Sequence, residues 1–164
     1  MRTWNAKRVL AVAMGLGLAV LGVEVAMTHL AGREVVVPPQ YIPVVFGPLA
    51  AVVLVAVGLA VRTEKVFLRV VGTVGAVATL VGMAGTTFHA RALWRLLEEM
   101  EWTWVNVEAA LGVAPPPFAP GAFAGIGLLL MLLAHRRVTV ELRGPELAGK
   151  VVPFRALVAL KRAA

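Results

Sequence analysis

The chain has no cysteine, a single tyrosine and only 15% charged residues over its 164 positions. Without cysteine there is no disulfide framework, no thiolate nucleophile and no Cys-ligated zinc or iron–sulfur centre. Acids number nine against sixteen bases, and only three histidines are present. A hydrolytic zinc site wants three protein ligands and a general base, so this supply argues against one. The sequence holds no phosphate-cradling glycine loop, no His-Glu-x-x-His and no Gly-x-Ser-x-Gly.

What replaces these groups is apolar. Hydrophobic residues make up 60% of the chain, against slightly under half in soluble domains, and the mean hydropathy is +0.85. Disorder is thereby excluded. The net charge of +7 does not indicate nucleic acid, because the basic residues are scattered between long apolar runs. The composition is that of an integral membrane protein.

A bilayer core about 30 Å thick needs roughly 20 mainly apolar residues per helix. Four segments meet that need: 9–30, 43–61, 70–90 and, shortest, 117–134. The expected fold is all-α, a four-helix membrane bundle over residues 1–137 with a basic tail at 138–164. Residues 1–30 share a basic start and an apolar stretch with secretory signals. Their length, the interruption by Glu24 and the lack of a clean small-x-small site favour a retained first span.

Orientation follows from where lysine and arginine fall in the short flanks. Arg2, Lys7 and Arg8 precede the first span, Arg62, Lys65 and Arg69 separate the second and third, and seven more follow the fourth. Thirteen of sixteen basic residues thus share one side, leaving Arg33, Arg91 and Arg95 opposite. Both termini are expected in the cytoplasm, with the protein in a bacterial inner membrane and lipid as its first partner.

The connections carry their own signals. Tyr41 suits an interfacial position, and 62–69 reads as a tight cytoplasmic turn. In 91–116, Leu93, Leu96, Leu97, Met100 and Trp104 recur at helical spacing. That segment is either the third span continuing outward or a helix on the outer surface, with Trp94, Trp102 and Trp104 in an aromatic belt. It is a lipid-anchored connector or a docking surface for a partner. In the tail, alternation over 138–142 and a turn permit a hairpin, and 154–162 suits a basic helix on anionic lipid. His135, beside Arg136 and Arg137, reads as interfacial.

An internal repeat organises the rest. Gly15, Gly22 and His29 lie seven apart, and so do Gly75, Gly82 and His89. The even spans echo each other as Pro-x-x-Phe-x-Pro-x-Ala, at 43–50 and again at 115–122. Two similar hairpins related by a pseudo-twofold along the membrane normal would follow. If the small-residue stripes face the bundle centre, His29 and His89 meet across that axis at similar depth. Paired imidazoles suit a bis-histidine haem b, with the glycines making room for the porphyrin, or a quinone headgroup, or a metal ion. Against these stands the plain structural role: small stripes let helices pack, and a boundary histidine is hydrogen-bonded in place.

Glu24 is an acid inside a span, costly and a functional candidate for that reason. It is turned roughly 140° from the histidine stripe, by helix geometry. Its roles are a proton relay toward the outer face, or a protonated carboxyl bonded to a threonine or a backbone carbonyl.

The stretch Val81-Gly-Met-Ala-Gly-Thr-Thr-Phe-His89, with Tyr41-Ile-Pro-Val-Val-Phe-Gly-Pro48 and Pro116-Pro-Phe-Ala-Pro120, resembles a group of small bacterial inner-membrane proteins. The resemblance covers roughly residues 25 to 135 and implies a four-helix fold and membrane location without an activity. In that group a Gly-Pro-Pro follows closely behind an asparagine, whereas Asn106 and Pro115 are further apart. The functional expectation is a non-catalytic subunit, anchor or accessory factor of a membrane complex, partnered by a membrane protein or by its own copies. The alternative is a redox protein in which His29 and His89 bind haem b or a quinone. A small transporter is a third class, for which only Glu24 and a few threonines could line a polar path.

Overall fold

The computed structural model describes residues 6–30, 38–100, 102–113 and 120–135. Among these the architecture is all-α: α1 (Ala6–His29), a 3-10 turn at Pro38–Gln40, α2 (Tyr41–Ala60), α3 (Glu64–Glu99), α4 (Trp104–Val113) and α5 (Gly121–Ala134). Three stretches are long and apolar enough to cross a membrane: α1, the 3-10 turn with α2, and α3. Helix α5 is equally apolar but has 14 residues, about 21 Å of rise. The fourth expected span is therefore described only from Pro120 onward. The tail expected to form a hairpin and a basic helix lies outside the described residues, as do the 31–37 connection and 114–119.

Two pairings dominate the packing. Helix α1 lies along α2, and α3 lies along α5, while the pairs meet more sparingly through α2 with α3 and α1 with α5. Glycine makes each close pairing. A Cβ on Gly15 would sit 3.0 Å from Cβ of Leu54, and one on Gly22 would sit 2.8 Å from Cδ of Pro48. In the second pair, a Cβ on Gly75 would sit 2.9 Å from Cβ of Leu130, and one on Gly82 would run into Ala124. Pro48 inside α2 cannot donate its turn's hydrogen bond, and its ring occupies the space that Gly22 leaves.

The pairs are copies of one arrangement. Val12 meets Gly58 as Gly72 meets Ala134, and Gly15 meets Leu54 as Gly75 meets Leu130. The odd helices thus repeat at a spacing of 60 residues and the even helices at 76. This corrects the proline motif, which aligned 43–50 with 115–122 at a spacing of 72. The register of these contacts differs from it by four residues, about one helical turn; residues 115–119 of the motif lie outside the described residues. Phe46 meets Phe123 at 6.4 Å between centroids; Phe118 of the proline motif lies outside the described residues. Sequence reading passed over Phe123, which is among the largest fully buried side chains with Leu18, Leu54, Val71 and Leu130.

Two other expectations shift. The connection between α2 and α3 is only residues 61–63, with Val61 and Thr63 extended; the region 62–69 is mostly the first turns of α3. Phe67 and Leu68 are buried there, so apolar packing extends the helix toward its N-terminus among the charged residues. At the other end α3 continues to Glu99, past the expected end of the third span at residue 90. Its 36 residues rise about 54 Å, well beyond the roughly 30 Å of a hydrocarbon core.

The basic end is fastened by α1. Arg8 donates from Nη1 to the carbonyl of Gly58 at 3.0 Å, closing the C-terminus of α2, and its guanidinium carbon lies 4.9 Å from the Phe67 ring centre. Lys7 is buried and donates to the carbonyl of His135 at 3.3 Å, just past α5. Cations at helix C-termini satisfy carbonyls that the helices leave open and oppose their dipoles. Gly125 has the opposite character to the interface glycines, since nothing lies within 4 Å of a Cβ placed there. Gly125→Ala is expected to raise stability by about 0.5–1 kcal/mol, read as a later thermal unfolding midpoint in detergent.

Candidate functional site

At the end opposite Lys7 and Arg8, the rings of His29 and His89 come together. Their centroids are 5.7 Å apart and their planes 26° from parallel. Both are half-buried. Helices α1 and α3 occupy diagonal places in the bundle, so the imidazoles bridge a gap that the backbones leave open. Matching positions of the two repeats thus deliver the two rings. Phe46 and Phe123 cross the other diagonal.

The local chemistry of His29 is set by its own helix. Nδ1 lies 3.2 Å from the Val25 carbonyl oxygen and 2.9 Å from Oγ1 of Thr28. The carbonyl can only accept, so in a hydrogen bond between them Nδ1–H of His29 donates to the Val25 oxygen. Thr28 in turn donates to the main-chain oxygen of Glu24 at 3.0 Å. That bond is to the backbone of Glu24 and not to its carboxyl group, which stands at an exposed position of α1.

The glycine stripes do not face the bundle centre. Gly15 and Gly22 are covered by α2, and Gly75 and Gly82 by α5, so the room foreseen for a porphyrin is filled by neighbouring backbone. The physical reason is that a smooth helix face gains most by close backbone contact within its own hairpin. Three threonines of α3 bond back to their own helix. Thr79, Thr86 and Thr87 each donate to the carbonyl four residues earlier at 2.9 Å, a common way for helical hydroxyls to satisfy themselves.

Beyond the histidines stands an aromatic group. The rings of Trp94 and Trp102 meet edge to face at 5.3 Å, and Nε1 of Trp94 donates to a carboxylate oxygen of Glu98 at 2.6 Å. Trp104 is 88% exposed at the start of α4, beside an exposed Val105. Of the apolar series read from 91–116, Leu97 is buried while Met100 and Trp104 are not. The helical periodicity of that segment breaks at Met100, where the backbone becomes extended.

No family model, no curated protein and no solved structure matches this chain. Site and fold therefore rest on the chain's own geometry. Among the described residues no third histidine, cysteine, aspartate or glutamate joins the two imidazoles in a metal-sized group.

Proposed function

We propose that the protein is a non-catalytic membrane subunit, an anchor or accessory factor of a bacterial inner-membrane complex, with both termini in the cytoplasm. The observation that carries this reading is the length of α3. It runs past the thickness of a bilayer, turns at Met100 and returns as α4, holding Trp102, Trp104 and Val105 outward. Exposed tryptophans on a short, braced helical turn are effective anchors for a partner's surface. The excess of lysine and arginine at the opposite end supports the orientation.

The test is native electrophoresis of membranes solubilised in mild detergent. The chain is expected in a species larger than itself, and Trp102→Ser with Trp104→Ser is expected to shift it toward the monomer without changing its helical content. Migration of the unmodified chain as a lone monomer would overturn the reading. The absence of cysteine gives a clean topology test. With Trp104→Cys, a membrane-impermeant maleimide applied to spheroplasts is expected to label the chain; with Thr3→Cys, it is expected to do so only after lysis.

A second reading is favoured by the approach of His29 to His89. The pair would be a ligand site in a redox protein, taking haem b or a quinone. An optical spectrum decides the haem form: a Soret band abolished by His29→Ala and by His89→Ala would establish it.

A further inference from the structure

We infer that α1 carries an intramembrane docking face for a helix of a different membrane protein, one that brings a lysine or arginine to Glu24. This rests on the reading of the protein as a subunit of a membrane complex, and names a contact for it within the bilayer. The depth of Glu24, the pattern around it and the charge inventory of the chain lead there.

Depth comes from the repeat. His29 meets His89 and the packing contacts of α1 and α3 recur at 60 residues, so Glu24 stands level with Ala84. Residues 70–90 hold no lysine, arginine, aspartate or glutamate. Glu24 therefore lies about 10 Å below Arg91, the first charge beyond that apolar run. Side chains lean toward the N-terminus of their helix, which for α1 is the end of Lys7 and Arg8. The carboxyl group is thus carried deeper into the apolar layer and away from the nearer surface. Among the described residues nothing hydrogen-bonds or ion-pairs with it; Thr28 reaches only the main-chain oxygen. Ionisable groups inside membranes face a bundle interior or a water-filled cavity and are paired there. Glu24 is exposed on the outside of this bundle.

The surface beside it has the form of a helix seam. Val9, Ala13, Leu16, Val20, Val23 and Met27 are all exposed, at alternating intervals of four and three residues. That is the a/d spacing of a left-handed helix pair, and Glu24, next to Val23, falls at a flanking e position. Charges at such positions pair across helices and select the partner. Met83, Ala84 and Thr87 of α3 are exposed as Val23, Glu24 and Met27 of α1 are. The repeat thus offers alanine where α1 offers an acid, which singles out the face on α1.

A second copy does not meet the need. Symmetric pairing on this seam sets one Glu24 near the other, like charge against like. The apolar runs 9–30, 43–61, 70–90 and 117–134 supply no lysine or arginine. The opposite charge has to come from another chain.

The experiment pairs the full chain, in phosphatidylcholine vesicles, with synthetic leucine-rich transmembrane peptides. Thr3→Cys gives a single dye site in a chain without cysteine, and energy transfer to labelled peptide reports association. A peptide with one lysine at the depth of Glu24 is expected to bind. Its all-leucine counterpart is expected to bind about five- to thirtyfold more weakly, the scale of one polar contact between membrane helices. Glu24→Leu should erase that difference, and Glu24→Lys should move the preference to a peptide carrying glutamate. Equal binding of the lysine and leucine peptides, or a preference that survives Glu24→Leu, overturns the inference.

In native membranes, Glu24→Leu is expected to move the chain from its larger species toward the monomer with no fall in its thermal midpoint, because the position lies outside the core. A larger species that persists in this variant overturns the inference and leaves the subunit reading standing. A lone monomer from the unmodified chain removes both. Two differently tagged copies that copurify, and separate in Glu24→Leu, place a second copy on the face and overturn the partner of opposite charge.

Discussion

Gly82→Leu is expected to abolish the folded bundle. A Cβ at that position already runs into the backbone nitrogen of Ala124 and stands 2.8 Å from its Cβ and 2.9 Å from its Cα. Backbone cannot step aside as a flexible side chain can, so α3 and α5 must separate. Overpacking a well-filled core costs about 1–3 kcal/mol, occasionally more. Gly82→Ala is expected to fall in that range, and the leucine variant to exceed it. Set against total stabilities of about 5–15 kcal/mol, the larger variant should be recovered as aggregate in size-exclusion chromatography. The alanine variant should stay monodisperse and melt early. A leucine variant that melts with the unmodified chain would refute the close pairing of α3 with α5. The pairing is repeated in α1, so Gly22→Leu should fail similarly against Pro48 and Gly47.

Arg8→Ala is the second large expectation. Its guanidinium serves two hairpins at once, bonding the Gly58 carbonyl at the end of α2 and lying over the Phe67 ring of α3. A hydrogen bond to a charged donor contributes about 1.5–3 kcal/mol, and a cation over an aromatic face adds about 0.5–1 kcal/mol at an accessible site. Allowing for the half-exposed setting, the loss is expected at about 1–3 kcal/mol. It should appear as a lower midpoint on titration with denaturing detergent. Arg8→Lys should recover only part, because an ammonium lacks the flat face that stacks on phenylalanine. Full recovery by lysine would mean that charge at the end of α2 matters and the ring contact does not.

Much of this was legible in the sequence for reasons that can be stated residue by residue. Glycines seven apart mark one face of a helix, and the same interval in α1 and α3 predicted that both helices would be used alike. They are, down to contacts at Gly15 and Gly75. The meeting of His29 and His89 was expected on the condition that the stripes face the bundle centre, and the rings meet although that condition fails. The direction of the stripe was not legible. A smooth face says that something comes close and leaves unsaid which helix does, and here the hairpin partner came closer than the diagonal one. The misregistered proline motif has a related cause. Prolines report where a chain begins a helix, whereas packing register is decided by side-chain volume along the whole length. Phe67 and Arg8 went unpaired in the reading because charge near a membrane boundary masks an apolar contact beside it. Tertiary geometry alone reveals that the arginine spans two helices.

The unequal spacing of the two hairpins separates the bundle from the connection that carries the tryptophans. Odd helices recur after 60 residues and even helices after 76, a surplus of 16 that falls wholly between His89 and Pro120. That stretch holds the outward run of α3, the turn at Met100 and α4. In contact register the second hairpin repeats the first with a connection 16 residues longer, and the tryptophans belong to that longer connection. Shortening that connection to the length of its counterpart is expected to leave the bundle and its two histidines intact, and to remove only what the extra length does. The scaffold and the display surface are separable parts, so each can be altered, transplanted or lost while the other persists.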